Sequence, residues 1–259
     1  MKRQPKAQSP KPKAQRPKVI KVQSEMCEMR KMSRPGRFWN LVGIRCSPAL
    51  LLLPLLLLSV GCSKTDGELR AGFESGRYRT VVAFGDSIVS GHQQPESWPE
   101  ILGRDIASMY DGVRVLNAGV SGNTAGDGLR RLQRDVLDHQ PDLVLIAFGL
   151  NDMKNGVSLI RFEEDLSRIV REVSGSGAQP VLLTTTRLQR GASMLARVNP
   201  APYNDAIKML AEARGIPLID VNDKFKGLNT PEYLIDAAHP NGEGYRALAD
   251  IIRKGLIGE

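Results

Sequence analysis

The sequence predicts an α/β domain built on a doubly wound, five-stranded parallel sheet. Three observations predict it. From residue 80 onward, short apolar runs alternate with longer amphipathic ones, the signature of consecutive β-α-β units. The short runs are apolar throughout, as strands covered on both faces must be. The 197 residues after Cys62 contain no cysteine, so no disulfide framework or cysteine-bound zinc stands in for a hydrophobic core.

The elements follow in order. The first strand spans 80–84 (TVVAF) and precedes a helix over 97–110, with Trp98-Pro99 at its start and Trp98 assigned to the core. A strand over 113–117 and a charged helix over 126–139 come next; His139 closes that helix beside Pro141, a structural position where a cation suits the helix C-terminus. The strand over 143–148 leads into a helix over 158–174. There Phe162, Leu166, Ile169, Val170 and Val173 recur at i, i+4, i+7, i+8 and i+11 and form one face. A strand over 180–185, a helix over 200–214, a strand over 216–220 and a last helix over 242–256 complete the series. Connections of this length imply right-handed crossovers, and ligands of such sheets bind at the carboxyl ends of the strands.

Charge separates the N-terminal arm from this body. The chain is +8 overall, which alone points to a polyanion partner, but residues 1–61 carry +11 and residues 62–259 carry −3. A groove for polyanions on the body therefore loses most of its support. Residues 1–37 are rich in Lys, Arg, Pro and Gln and lack apolar periodicity, so they cannot build a core. Residues 38–61 hold the apolar block ALLLLPLLLLSV behind Arg34, Arg37 and Arg45. It is short for a bilayer span and follows the order of a secretory signal. The block ends in Leu58-Ser59-Val60-Gly61-Cys62, which resembles a bacterial lipobox, with Ser59 where that pattern has Leu or Val. The resemblance implies lipidation of Cys62, export, and a periplasm-facing lipoprotein of the cell envelope. Ser63 and Lys64 follow, with no Asp, which resembles lipoproteins sorted onward and implies the outer membrane over the inner. Residues 62–78 read as a linker and 79–259 as the folded domain.

Chemistry concentrates at the strand ends. The first strand runs into Gly85-Asp86-Ser87-Ile88-Val89-Ser90-Gly91, a glycine turn presenting a small side chain at the sheet edge. Neither G-x-G-x-x-G nor G-x-x-x-x-G-K-[ST] occurs there, so no nucleotide fingerprint is present. The second strand ends in Asn117-Ala118-Gly119-Val120-Ser121-Gly122-Asn123-Thr124 and the third in Gly149-Leu150-Asn151-Asp152. Before the last helix stands Asp236-Ala237-Ala238-His239-Pro240, where one loop brings carboxylate and imidazole together. A serine, amide donors and an Asp–His pair on one edge are the parts of acyl transfer: nucleophile, oriented base and oxyanion hole. The three histidines have no H-x-x-x-H spacing, and neither metal nor cofactor is implied.

These four blocks, in this order, resemble the SGNH/GDSL hydrolase family, over roughly residues 79–256. The resemblance implies a three-layer α/β/α, flavodoxin-like fold and a serine ester hydrolase forming an acyl-enzyme. It implies Ser87 as nucleophile, His239 as general base and then acid, and Asp236 as its orienting partner. The N–H groups of Ser87 and Gly122 with the Asn151 side chain would form the oxyanion hole. Within the family the blocks look most like the periplasmic thioesterase, lysophospholipase and arylesterase branch, with a small acyl ester or lipid as substrate.

Other residues have lesser expected roles. Asp86 and Asp152 brace their loops, and His92 is a solvated loop residue. Met153 and Leu188, with Met194 and Leu195, line an acyl pocket. Two alternatives stand beside the leading one: a carbohydrate O-acetyl esterase of the envelope, and a non-catalytic binding lipoprotein on the same scaffold.

Overall fold

Residues 66–186, 199–228 and 232–258 are described by the computed structural model. Strands β1 (Thr80–Gly85), β2 (Arg114–Gly119), β3 (Leu143–Ala147), β4 (Gln179–Leu183) and β5 (Leu218–Ile219) form one parallel sheet in the order β2-β1-β3-β4-β5. The helices are α1 (Asp66–Glu74), α2 (Ser87–Ser90), α3 (Trp98–Met109), α4 (Ala125–Asp135), α5 (Leu150–Lys154), α6 (Leu159–Gly175), α7 (Ala201–Arg214), α8 (Val221–Lys224) and α9 (Gly242–Ile257).

Period-two alternation along the strands divides the core into two layers. Val81 and Ala83 of β1, with Leu143 and Leu145 of β3, pack with Leu69, Phe73, Trp98, Leu102, Tyr245 and Ile252 from α1, α3 and α9. Val82 and Phe84, with Val144 and Ile146, face Leu132, Phe162, Leu166, Ile169 and Ile207 from α4, α6 and α7. This is the expected three-layer α/β/α arrangement. The predicted apolar face of α6 is buried in full, Phe162 and Ile169 completely. Trp98 is 1% exposed, a core residue as expected.

Four features depart from the sequence reading. Residues 66–74, within the stretch read as a linker, are helix α1; Leu69 and Phe73, one turn apart, bury against the α3–α9 layer, and Phe73 meets the Tyr78 ring edge-on. Strand β2 is an edge strand, and its residues are half-exposed or exposed in place of buried on both faces. The predicted 126–139 helix ends at Asp135, and His139 belongs to a separate, exposed 3₁₀ turn over Leu137–His139. The short helices α2 and α5 begin within two or three residues of the ends of β1 and β3.

The strand order fixes where a site can form. β1 connects to β2 on one side, and β3 then lies on the other side of β1, so the order in which strands are added across the sheet reverses at β1. The loops leaving these two strands diverge and open a crevice at the carboxyl edge. Ser87 follows β1 and Asn151 follows β3.

Candidate active site

The turn after β1 is tight because Gly85 has no side chain. A Cβ there would lie 2.4 Å from the Ala147 carbonyl oxygen and 2.5 Å from Val89 Cγ2, so only glycine lets α2 close onto the sheet. Asp86 caps α2, its Oδ1 accepting from the Ile88 N–H at 2.9 Å. Ser87 is the first residue of the helix, where a backbone N–H has no intrahelical acceptor.

The second half of the site comes from the loop before α9. Leu234 and Pro240 pair as an antiparallel bridge, and the Ile235 N–H donates to the His239 carbonyl at 2.9 Å. Inside this loop Asp236 Oδ1 accepts from the Ala238 and His239 N–H groups, each at 2.8 Å, and Oδ2 lies 2.8 Å from His239 Nδ1. His239 Nε2 lies 2.9 Å from Ser87 Oγ. Ser87, His239 and Asp236 are thus one continuous hydrogen-bonded line. Partial burial pulls the Asp236 pKa upward, but the hydrogen bonds from Ala238, His239 and the imidazole outweigh it and hold it at about 2. Its carboxyl is therefore ionised at any ordinary working pH.

The loop after β2 and helix α5 complete the edge. Gly122 has φ +82°, with open space where a side chain would stand. Asn151 Nδ2 donates to the Asn123 carbonyl at 3.1 Å and, at 3.3 Å, to Asp86 Oδ2. Asp152 accepts from the Ala125 N–H at 3.1 Å through both oxygens. Asp86 and Asp152 therefore do brace their loops. Ser87, Ser121, Gly122, Leu150, Asn151, Lys154, Ala238 and His239 line a cavity of about 160 Å³, together with His92.

Both bracing acids are buried at a cost. Burial, reinforced by the neighbouring Asp152, raises Asp86 from 3.8 to about 7, and burial raises Asp152 to about 6. A carboxyl whose folded pKa is raised favours the folded state below its unfolded pKa, and that contribution is lost as pH rises through the folded value. Thermal unfolding of the wild type is therefore expected to show Tm falling between about pH 4 and 7. In Asp86→Asn the decline should be shallower, with the remainder from Asp152; parallel Tm–pH curves would contradict this.

Sequence reasoning missed two residues. Arg131, 9% exposed, donates through Nη2 to the Gly85 carbonyl at 2.8 Å, through Nη1 to the Ala118 carbonyl at 2.8 Å, and through Nε to Asn123 Oδ1 at 2.7 Å. Its guanidinium lies 4.6 Å from the Phe84 ring centroid and pairs with Asp135. It ties the ends of β1 and β2 to the loop holding Gly122. The only sequence signal was its place eight residues after Asn123 in a basic helix, shared with Arg130 and Arg134. The second is His92, read as solvated: it is half-buried, and its ring stacks on His239 with centroids 3.6 Å apart.

Met153 does not line the cavity. It is 6% exposed and packs into the α3–α9 layer, while Leu150, Asn151 and Lys154 of the same short helix line the cavity. Leu188, Met194, Leu195 and Cys62 lie outside the described residues. His92, Asp236 and His239 are also close enough to offer ligand atoms to one metal ion, but both nitrogens of His239 are already engaged by Ser87 and Asp236.

Residues 83–247 match the GDSL-like lipase/acylhydrolase family. An arylesterase of Vibrio mimicus is 29% identical over 180 residues, covering 68% of this chain and 88% of that protein. A Bacillus subtilis protein named uncharacterized lipoprotein YqeF is 28% identical, covering 80% of this chain and 97% of its own length. Among solved structures, the lipase/acylhydrolase from Enterococcus faecalis is 30% identical with a TM-score of 0.63, covering 70% of this chain and 96% of that one.

Proposed function

The chain belongs to the GDSL-like lipase/acylhydrolase family and is a carboxylic ester hydrolase, and from that premise we propose that its acyl-enzyme forms on Ser87. The observation that carries this reading is the unbroken line from Ser87 Oγ through His239 to Asp236, with spacings of 2.9 and 2.8 Å. As Ser87 Oγ attacks the ester carbonyl, His239 Nε2 takes its proton, and Asp236 orients the ring and balances the imidazolium. The tetrahedral oxyanion is received by the N–H groups of Ser87 and Gly122 and by the Asn151 amide. To donate there, Asn151 gives up its longer hydrogen bond, the 3.3 Å one to Asp86. His239 then protonates the leaving alcohol. A water attacks the acyl-enzyme with His239 again as base, and the acid and free Ser87 are released.

Asn151→Ala is expected to lower kcat by about 100–1,000-fold with a much smaller change in KM, since the oxyanion exists only along the reaction path. Steady-state kinetics on p-nitrophenyl acetate would show it, and a loss confined to KM would remove Asn151 from the oxyanion hole.

The substrate range is tested with the full-length chain on p-nitrophenyl esters from acetate to palmitate. An optimum at long chains supports a lipid-type acyl hydrolase. A second reading, a carbohydrate O-acetyl esterase, is favoured by the small cavity of about 160 Å³ against the roughly 300–1,000 Å³ of sites that enclose larger ligands. An optimum at acetate, with turnover of acetylated oligosaccharides, would select it.

Attachment to the cell envelope through a lipid on Cys62 is the further part of the proposal. It is supported by the Leu58–Cys62 sequence and by the relative named a lipoprotein. Among the described residues no helix is long and apolar enough to cross a membrane. Cys62→Ala is expected to move the protein from the membrane to the soluble fraction on cell fractionation; unchanged membrane retention would refute lipid anchoring at this residue.

A further inference from the structure

The loop that leaves α2 carries a histidine onto the face of another. Gly91 caps α2 with φ +92°, Gln93 has φ +59°, and the Gln94 N–H donates back to the Gly91 carbonyl at 2.8 Å. A non-glycine residue at positive φ is held against its local preference, and such positions persist where surrounding structure enforces them. Between these two left-handed residues stands His92. Its ring lies over His239 at 3.6 Å between centroids and 16° between planes.

The other contacts of His239 are at its edge. Ser87 engages Nε2 and Asp236 engages Nδ1. Two edge bonds define a line through the ring, and a face contact is what stops rotation about that line. The Asp236 side chain is also 49% exposed, so water competes for its hydrogen bond and weakens its hold. The charged and titratable groups facing His92 are His239 and Asp236, with Lys154 across the cavity. Burial and the neighbouring His239 push the His92 pKa below the ordinary histidine value, against a smaller upward pull from Asp236. A flat ring laid on the face of His239 also shields from water the imidazolium charge that develops there.

We propose that His92 is a positioning residue of this hydrolase: its imidazole sets the plane of His239 and covers the face on which the imidazolium charge develops. The inference rests on the reading of Ser87, His239 and Asp236 as the catalytic line. Because His92 acts through His239, its loss falls on kcat.

The test uses the full-length chain with p-nitrophenyl butyrate, comparing wild type, His92→Ala and His92→Phe, with thermal unfolding of each. His92→Ala is expected to lower kcat about tenfold while KM stays within about twofold, less than the roughly 100-fold of a 1 Å misplacement because both edge hydrogen bonds of His239 remain. His92→Phe, which keeps a flat ring on His239, is expected to retain kcat within about threefold of wild type. Wild-type kcat in His92→Ala, equal losses in both variants, or a loss confined to KM would each overturn the proposal. Ser87→Ala is assayed alongside: if it stays active, the catalytic reading itself fails, whereas a Ser87-dependent enzyme indifferent to His92 loses only this inference.

Discussion

Replacing Ser87 with alanine is expected to lower kcat on p-nitrophenyl esters by at least about 10⁴-fold, to a level at or near background. The size follows from chemistry. No other hydroxyl stands 2.9 Å from His239 Nε2 among the described residues, so the acyl-enzyme has no substitute site. The fold should survive. Ser87 is 5% exposed, and alanine removes one small hydroxyl without opening a cavity. The Asp86 cap on the Ile88 N–H is a neighbouring interaction that the change does not touch. A native-like Tm with abolished turnover is the expected pair of results. Hydrolysis well above background in a folded Ser87→Ala protein would remove Ser87 as nucleophile.

His239→Ala is expected to be nearly as damaging, again by at least about 10⁴-fold, because serine attacks poorly without a base to take its proton. Asp236→Asn separates the roles. The Asp236 carboxylate also accepts the Ala238 and His239 N–H groups; the asparagine side-chain oxygen retains part of that acceptance but offers no charge to an imidazolium. The loss should be smaller than for His239→Ala, since Asp236 orients a base that remains present. An Asp236→Asn variant as inactive as His239→Ala, with native Tm, would mean that ring orientation is everything at this site. A His239→Ala variant retaining a tenth of wild-type kcat would exclude His239 as base.

Much of this was legible in the sequence, for identifiable reasons. Strand and helix alternation is written in local periodicity, so five strands and their crossovers could be read before any contact was known. Asp236 and His239 could be paired because they stand three positions apart in one loop. The Ser87, Gly122 and Asn151 blocks were legible because each interrupts an apolar strand with a glycine turn. Helix α1 was not, because a nine-residue helix with two deeply buried apolar side chains, Leu69 and Phe73, has too little periodicity to register. Nor was the edge position of β2, since strand order is not encoded in strand composition.

By itself the sequence determined the α/β class, the identity of the strand-end blocks and the local Asp236–His239 loop, because these depend on backbone periodicity and contacts within a few residues. The tertiary structure alone decided which distant groups meet. It turns Arg131 inward onto the carbonyls of Gly85 and Ala118 while Arg130 and Arg134 face solvent. It lays His92 on His239 and drives the Asp86 and Asp152 carboxyls upward by burial. It points Leu150 and Lys154, and not Met153, into the cavity. These meetings follow from the reversal of strand order at β1, which brings loops far apart in sequence to one edge, and from the low polarity of the space they enclose.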